Sequence, residues 1–275
     1  MHQQIMLAQR IASGGGLPPN TYANLQFWFS ARDLATTFTS VNNTDPATVD
    51  GDWVNRMDSK SPTTRCMAGG SAASQNYSLQ LAEVNGNNII RYAYNVTDDP
   101  ALWTKPGSGL NPTVATPRTA IKTASAGTYV FAGIVNDSSA TGGSPSAIAP
   151  IVDGAGSGDW GFGFYKSGGN IVFRHYNFDG TSDQIDTAGI APGTPVVISA
   201  RHNGGQIRIR VNGGTFSSTA SGNTSDFGAT VRICAFQNGD LADFMDVCGY
   251  NVALSDANLL EVERFFGAAL GVTIP

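Results

Sequence analysis

Two short turns rich in glycine and asparagine, set between alternating apolar runs, constrain this chain more than any other feature. Ser167-Gly168-Gly169-Asn170 separates Trp160–Lys166 from Ile171–Asn177. Asn203-Gly204-Gly205 separates Val196–His202 from Gln206–Val211. Asn and Gly accept the positive φ of a tight hairpin, and alternation in the flanks gives each strand one apolar face. These runs predict two β-hairpins. A third is expected where Val231–Phe236 and Leu241–Tyr250 flank Gln237-Asn238-Gly239-Asp240.

More strands are expected at Leu25–Ser30, Asn88–Tyr94 and Thr128–Val135, with residues 41–75 mostly loop around the Asp50-Gly51 turn and the run Trp53–Met57. The chain carries 33 Gly and 13 Pro, which suits many short strands and turns. A helical bundle would lose about 1 kcal/mol at each interior Gly. One helix is expected, over residues 255–270. Ser255 is an N-cap, Asp256 sits in the first turn, Leu259, Val262, Phe266, Ala269 and Leu270 recur at helical spacing, and Gly271 stops it. Antiparallel hairpins plus one terminal helix predict an all-β fold, an antiparallel two-sheet β-sandwich with one C-terminal α-helix.

Charged residues make up only 13% of the 275, against 41% hydrophobic, so Ser, Thr, Asn and Gly must cover the surface. The net charge is −5, and the densest basic cluster is Arg208 with Arg210 on a strand pattern, which argues against nucleic acid as a partner. No run approaches the roughly 18 apolar residues that a membrane span needs. The opening stretch is too short and polar for a secretory signal, so assembly in a cytoplasm is expected. Cys66, Cys234 and Cys248 show no C-x-x-C spacing and are expected as free thiols, with a Cys234–Cys248 bridge as the alternative.

Residues 1–20 stand apart from the sandwich domain at 21–275. Ile5, Met6, Leu7 and Ile11 form a short apolar stretch, followed by Gly14-Gly15-Gly16 and Pro18-Pro19. So short a segment is unstable alone. It is either disordered or an arm that docks on a neighbour, through those four residues.

Several stretches resemble a known fold family. VVISARHNGGQIRIRVNGG (Val196 to Gly214) is similar to the laminin G-like hairpin ending in a V-N-G turn. NGDLADFMDVCGYNVALSDANLLEVERFFGAALGV (Asn238 to Val272) resembles that fold's last strand, Leu-Ser-Asp corner and closing helix. LQFWFSARDLATTF (Leu25 to Phe38) and DGDWVNRMDSKS (Asp50 to Ser61) are similar to the opening of concanavalin A-like domains in tailed-phage and prophage proteins. The resemblance implies a concanavalin A-like jelly roll, a virion location on head or tail, assembly in the host cytoplasm, and contact with host glycan. It implies no catalytic residues.

Glycosidases on this type of sandwich pair carboxylates in a Glu-x-Asp-x-Glu strand. Here Glu83 stands alone and Glu261 and Glu263 fall on the helix. Asp243 and Asp246, three apart, are expected on opposite faces of a strand. No nucleophile elbow is found, and the Gly-rich stretch Gly154 to Gly163 contains no Lys-Ser/Thr pair of a phosphate loop. His202 is expected as a solvated turn residue and His175 on a strand, packed or on a binding face. Trp103, Trp160, Tyr176 and Phe178, in or near loops, could stack on sugars beside His175, or plug the core. No cofactor is expected. The run Asp179 to Asp183 offers those two carboxylates to calcium, or is an Asx-type turn. The expectation is a non-enzymatic virion protein, homo-oligomeric and bound through its arm to capsid or tail proteins. The alternatives are a free lectin or carbohydrate-binding module, and less favourably a polysaccharide-degrading enzyme.

Overall fold

The computed structural model describes residues 15–39, 45–60, 65–69, 77–92, 101–104, 126–135, 147–151, 160–167, 170–177, 184–203, 205–220, 231–235 and 242–275. Among them the strands are β1 (Leu25–Ser30), β2 (Thr37–Phe38), β3 (Arg56–Asp58), β4 (Arg65–Gly69), β5 (Tyr77–Val84), β6 (Asn87–Tyr92), β7 (Ala101–Thr104), β8 (Ala126–Val135) and β9 (Ala147–Ile151). They continue with β10 (Trp160–Ser167), β11 (Asn170–Asn177), β12 (Gln184–Asp186), β13 (Thr194–Asn203), β14 (Gln206–Val211), β15 (Ser217–Ala220), β16 (Val231–Ala235) and β17 (Ala242–Tyr250). Helix α1 spans Asp256–Leu270.

Two antiparallel sheets result. Sheet one runs β15-β14-β13-β8-β17-β6-β5, with β1 also paired to β17, and sheet two runs β12-β11-β10-β9-β16-β7-β4-β3-β2. The fold is therefore the expected all-β two-sheet sandwich with one C-terminal helix. Strand alternation divides the apolar residues into two cores. Phe27, Phe29, Phe131, Ile198 and Phe244 of sheet one join Met57 of sheet two in the inner core. Trp28, Val130, Val197 and Cys248 point the other way and meet Leu259, Val262, Phe266 and Leu270 of the helix. Sheet one is thus covered on both faces.

The local signals act as expected. The Ser255 hydroxyl accepts from the Asn258 N–H at 3.2 Å, and Gly271 ends the helix at φ 75°. Asn212, at φ 50°, begins the V-N-G turn and binds the backbone of Val197 twice. The Asp-Ser-Lys stretch braces β1. Ser59 Oγ accepts from the Trp28 N–H at 2.8 Å, and Lys60 Nζ lies 4.6 Å from the Trp28 ring centroid and 2.9 Å from Asp33.

Three expectations need correction. The third hairpin does not form, because β16 pairs with β7 and β9 in sheet two while β17 pairs with β8, β6 and β1 in sheet one. The chain crosses between layers where a turn was expected. Cys234 and Cys248 consequently lie in different sheets, and Cys248 is a free, buried thiol, so the bridge is excluded. Residues 41–75, expected as mostly loop, hold only the short strands β3 and β4 among the described residues. Finally, a bulge in β17 between Phe244 and Asp246 shifts the alternation by one residue. Asp243 and Asp246 thereby share a face, where Asp243 binds Arg91 and Asp246 binds the Trp28 indole N–H and Arg32.

Of residues 1–20, the described part from Gly15 lies on the body. Gly16 is buried against the helix, and a Cβ there would sit 1.8 Å from the Glu261 carbonyl oxygen. The buried Tyr250 hydroxyl donates to the Pro19 carbonyl at 2.8 Å.

Candidate functional site

The β10–β11 hairpin brings most of the expected binding residues to one end of sheet two. Trp160 pairs with Asn177, Gly161 with Tyr176 and Phe162 with His175, the in-phase register that the turn chemistry predicts. Next along the sheet, His175 pairs with Ile185 of β12 and Tyr176 with Gln184. Directly opposed residues share a face, and Ile185 packs on the inner core. Register therefore places Trp160 and His175 on the same face as Ile185, and Tyr176 on the other face with the buried Val172. The strip that sequence joined is divided by the pleat.

Trp103 falls one residue before the end of its strand. It lies in β7, opposite Met67 and Arg232, with β9 and β16 between it and β10. Phe178, Asp179 and Asp183 fall outside the described residues, as do Ile5, Met6, Leu7 and Ile11. Among the described residues, no group of three His, Cys, Asp or Glu side chains is placed to hold a metal ion.

His202 corrects its expected solvation. It ends a strand pairing, opposite Gly127 and Ile207, and is 6% exposed. Gly127 makes room for it: a Cβ there would stand 3.1 Å from His202 Nε2 and 2.9 Å from the Tyr129 hydroxyl. Burial lowers the His202 pKa to about 4 from 6.5. The unfolded chain therefore binds a proton at a pH where the folded one does not. Stability should fall as pH drops from 6.5 to 4, by about 3 kcal/mol at the lower end. Denaturant melts of the parent and His202→Gln across that range should differ in slope by this amount. Equal slopes would mean that His202 is protonated while folded. The carboxyls of Asp246 and Glu263, which burial pushes up, act in the opposite direction and are common to both proteins.

A charged assembly on the helix side of sheet one contains the Arg208 and Arg210 pair of the sequence together with residues that sequence reasoning did not join to it. Glu263, fully buried in α1, accepts from Arg210 Nε at 2.8 Å and from the Ser199 hydroxyl. Arg201 reaches Asp256 at 2.6 Å and the Leu254 carbonyl. The Cζ atoms of Arg201, Arg208 and Arg210 lie 4.8, 4.6 and 4.4 Å from the centroid of the Phe216 ring. Guanidinium planes stack on aromatic faces, so one phenyl gathers three cations. The signal was present as Arg-x-Arg in β14 opposite Arg201 in β13, since alternate residues share a face.

With this geometry, the chain is similar to several solved structures. The binding domain of Paraclostridial Mosquitocidal Protein 1 superposes with a TM-score of 0.52 at 15% identity, over 89% of this chain and 52% of that one. A Trypanosoma rangeli sialidase gives 0.49 at 14% identity, over 92% and 34%. The binding domain of botulinum neurotoxin DC gives 0.45 at 12%, over 87% and 52%. The likeness is one of fold. The chain spans about half the length of the two toxin domains and about a third of the sialidase. No protein-family model matches the sequence, and no curated protein matches it as a relative.

Proposed function

We propose that this chain is a non-enzymatic surface-display protein of a tailed-phage virion, carrying a lectin-like sandwich that contacts glycan. One observation carries the proposal: the root of the N-terminal arm is built into the body. Gly16 is pressed on the helix backbone and Pro19 is tied to buried Tyr250. A segment that leaves from a buried root has a defined direction, which suits an arm meant for a partner subunit. Beyond the root, Ile5, Met6, Leu7 and Ile11 supply apolar surface that a capsid or tail protein would bury, at about 1.5–3 kcal/mol per large side chain. Many copies acting together, as a homo-oligomer, multiply a modest affinity. Likeness of fold to a toxin binding domain supports the binding class. Within sheet two, Tyr176 lies by register on the face opposite Ile185, and the sugar contact is assigned to that residue.

Truncation tests the proposal. Deleting residues 2–14, which spares the root, should leave the melting temperature within about 1 °C and abolish incorporation into particles. The intact protein should bind members of a glycan panel without releasing product, and Tyr176→Ala should weaken that binding. Normal incorporation of the truncated protein, or turnover of any glycan, would overturn the proposal. Binding with no particle association of the intact chain would favour a free lectin.

A further inference from the structure

The arginine cluster on Phe216 has a chemistry that the display role does not use. Arg201 and Arg210 are 6% and 8% exposed, so each is more than nine-tenths buried. Arg201 Nε and Arg210 Nη2 are buried donors with no hydrogen-bond acceptor among the described residues. Two buried donors on guanidinium groups strongly favour an acceptor, because an unmade bond to a charged group costs more than a neutral one. Both groups lie on the same ring, where Arg208 adds a third positive charge. Glu263 and Asp256 pair with Arg210 and Arg201, and Asp256 is 61% exposed and so screened by water.

The cluster meets its more exposed neighbours on the β15 side. Arg208 and Phe216 are half-buried, whereas Ser217 and Ser218 are exposed. Ser218 stands directly opposite Arg208 across the β14–β15 ladder, so the two share a face. A fork of N–H donors matches a carboxylate, and a hydroxyl beside it matches a sugar hydroxyl. We propose that Arg201, Arg208 and Arg210 around Phe216, with Ser218 at the rim, form a binding site for the carboxylate of an acidic sugar. This site lies on sheet one and is separate from the β10–β11 hairpin of sheet two, so either can fail without the other.

The probe is sodium glucuronate, compared with glucose and with sodium sulfate at constant ionic strength, on the full chain. Glucuronate at ten times its Kd should raise Tm by about 3–5 °C. It should also shift the Nε–Hε resonance of Arg201. Glucose should do neither. Arg208→Lys, which keeps the charge and loses the fork, should weaken glucuronate about tenfold, and Ser218→Ala should weaken it less. No shift of the Arg201 resonance with glucuronate overturns the site, whatever the variants do. Equal affinity for sulfate overturns the assignment to a sugar, and an unchanged affinity in Arg208→Lys overturns the role of Arg208.

Discussion

Phe266→Ala should destabilise the protein by about 3–5 kcal/mol, the usual cost of emptying a buried aromatic site. Phe266 is fully buried at the centre of the contact between α1 and sheet one. Its ring centroid lies 6.4 Å from that of Trp28 and 5.7 Å from that of Phe265, and Phe265 meets Trp28 edge-on at 5.8 Å. Removing this ring leaves a cavity that neither a strand nor a capped helix can close by a small shift. Urea unfolding followed by tryptophan fluorescence measures the cost as a change in midpoint at constant slope. A loss below about 1 kcal/mol would mean that the helix does not hold the outer face of the sheet.

Glu263→Ala should cost a similar amount, about 3–5 kcal/mol, for a different reason. The carboxylate is the partner of Arg210, which is itself 8% exposed, and it accepts from Ser199. Without it, Arg210 keeps a buried charge with no counter-ion in the helix, which is more costly than losing an exposed pair. Burial outweighs Arg210 and Ser199 and pushes the Glu263 pKa up, so the pair is held at an electrostatic cost. The double replacement Glu263→Leu with Arg210→Met should therefore recover most of the loss, because both charges leave together. Chemical denaturation of the two single variants and the double variant gives the coupling directly. A double variant as unstable as Glu263→Ala would show that the side chains matter through shape rather than charge.

Much of the β10–β11 hairpin and the whole helix were legible in the sequence because their determinants are local. The β10–β11 register follows from Ser167-Gly168-Gly169-Asn170, and α1 from Ser255 and Gly271. The β5–β6 hairpin carries an equally local signal. Asn85 and Gly86 take φ 48° and 73°, the left-handed pair of a two-residue turn between Val84 and Asn87.

Other features had no local determinant. Trp160 and His175 were grouped with Tyr176 because their residue types suit sugar, but the pairing of β11 with β12 decides which positions share the face of Ile185. His202 sits beside a turn, where solvation is the usual outcome. Its burial depends on the space left by Gly127, in a different strand.

By itself, the sequence determined the fold class, the hairpins whose turns need positive φ, and the limits of the helix. Each rests on residues within a few positions of one another, whose backbone preferences act without the rest of the chain. Tertiary structure alone decided that β16 and β17 enter different sheets, that a bulge turns Asp243 and Asp246 to one face, and that three arginines meet on Phe216. Those outcomes depend on pairing across the chain, as when the Trp28 indole donates to Asp246 at a separation of 218 residues. Register at that distance is chosen by which arrangement buries the most apolar surface while satisfying the most polar groups. That sum is taken over the whole fold, and no short stretch of sequence contains it.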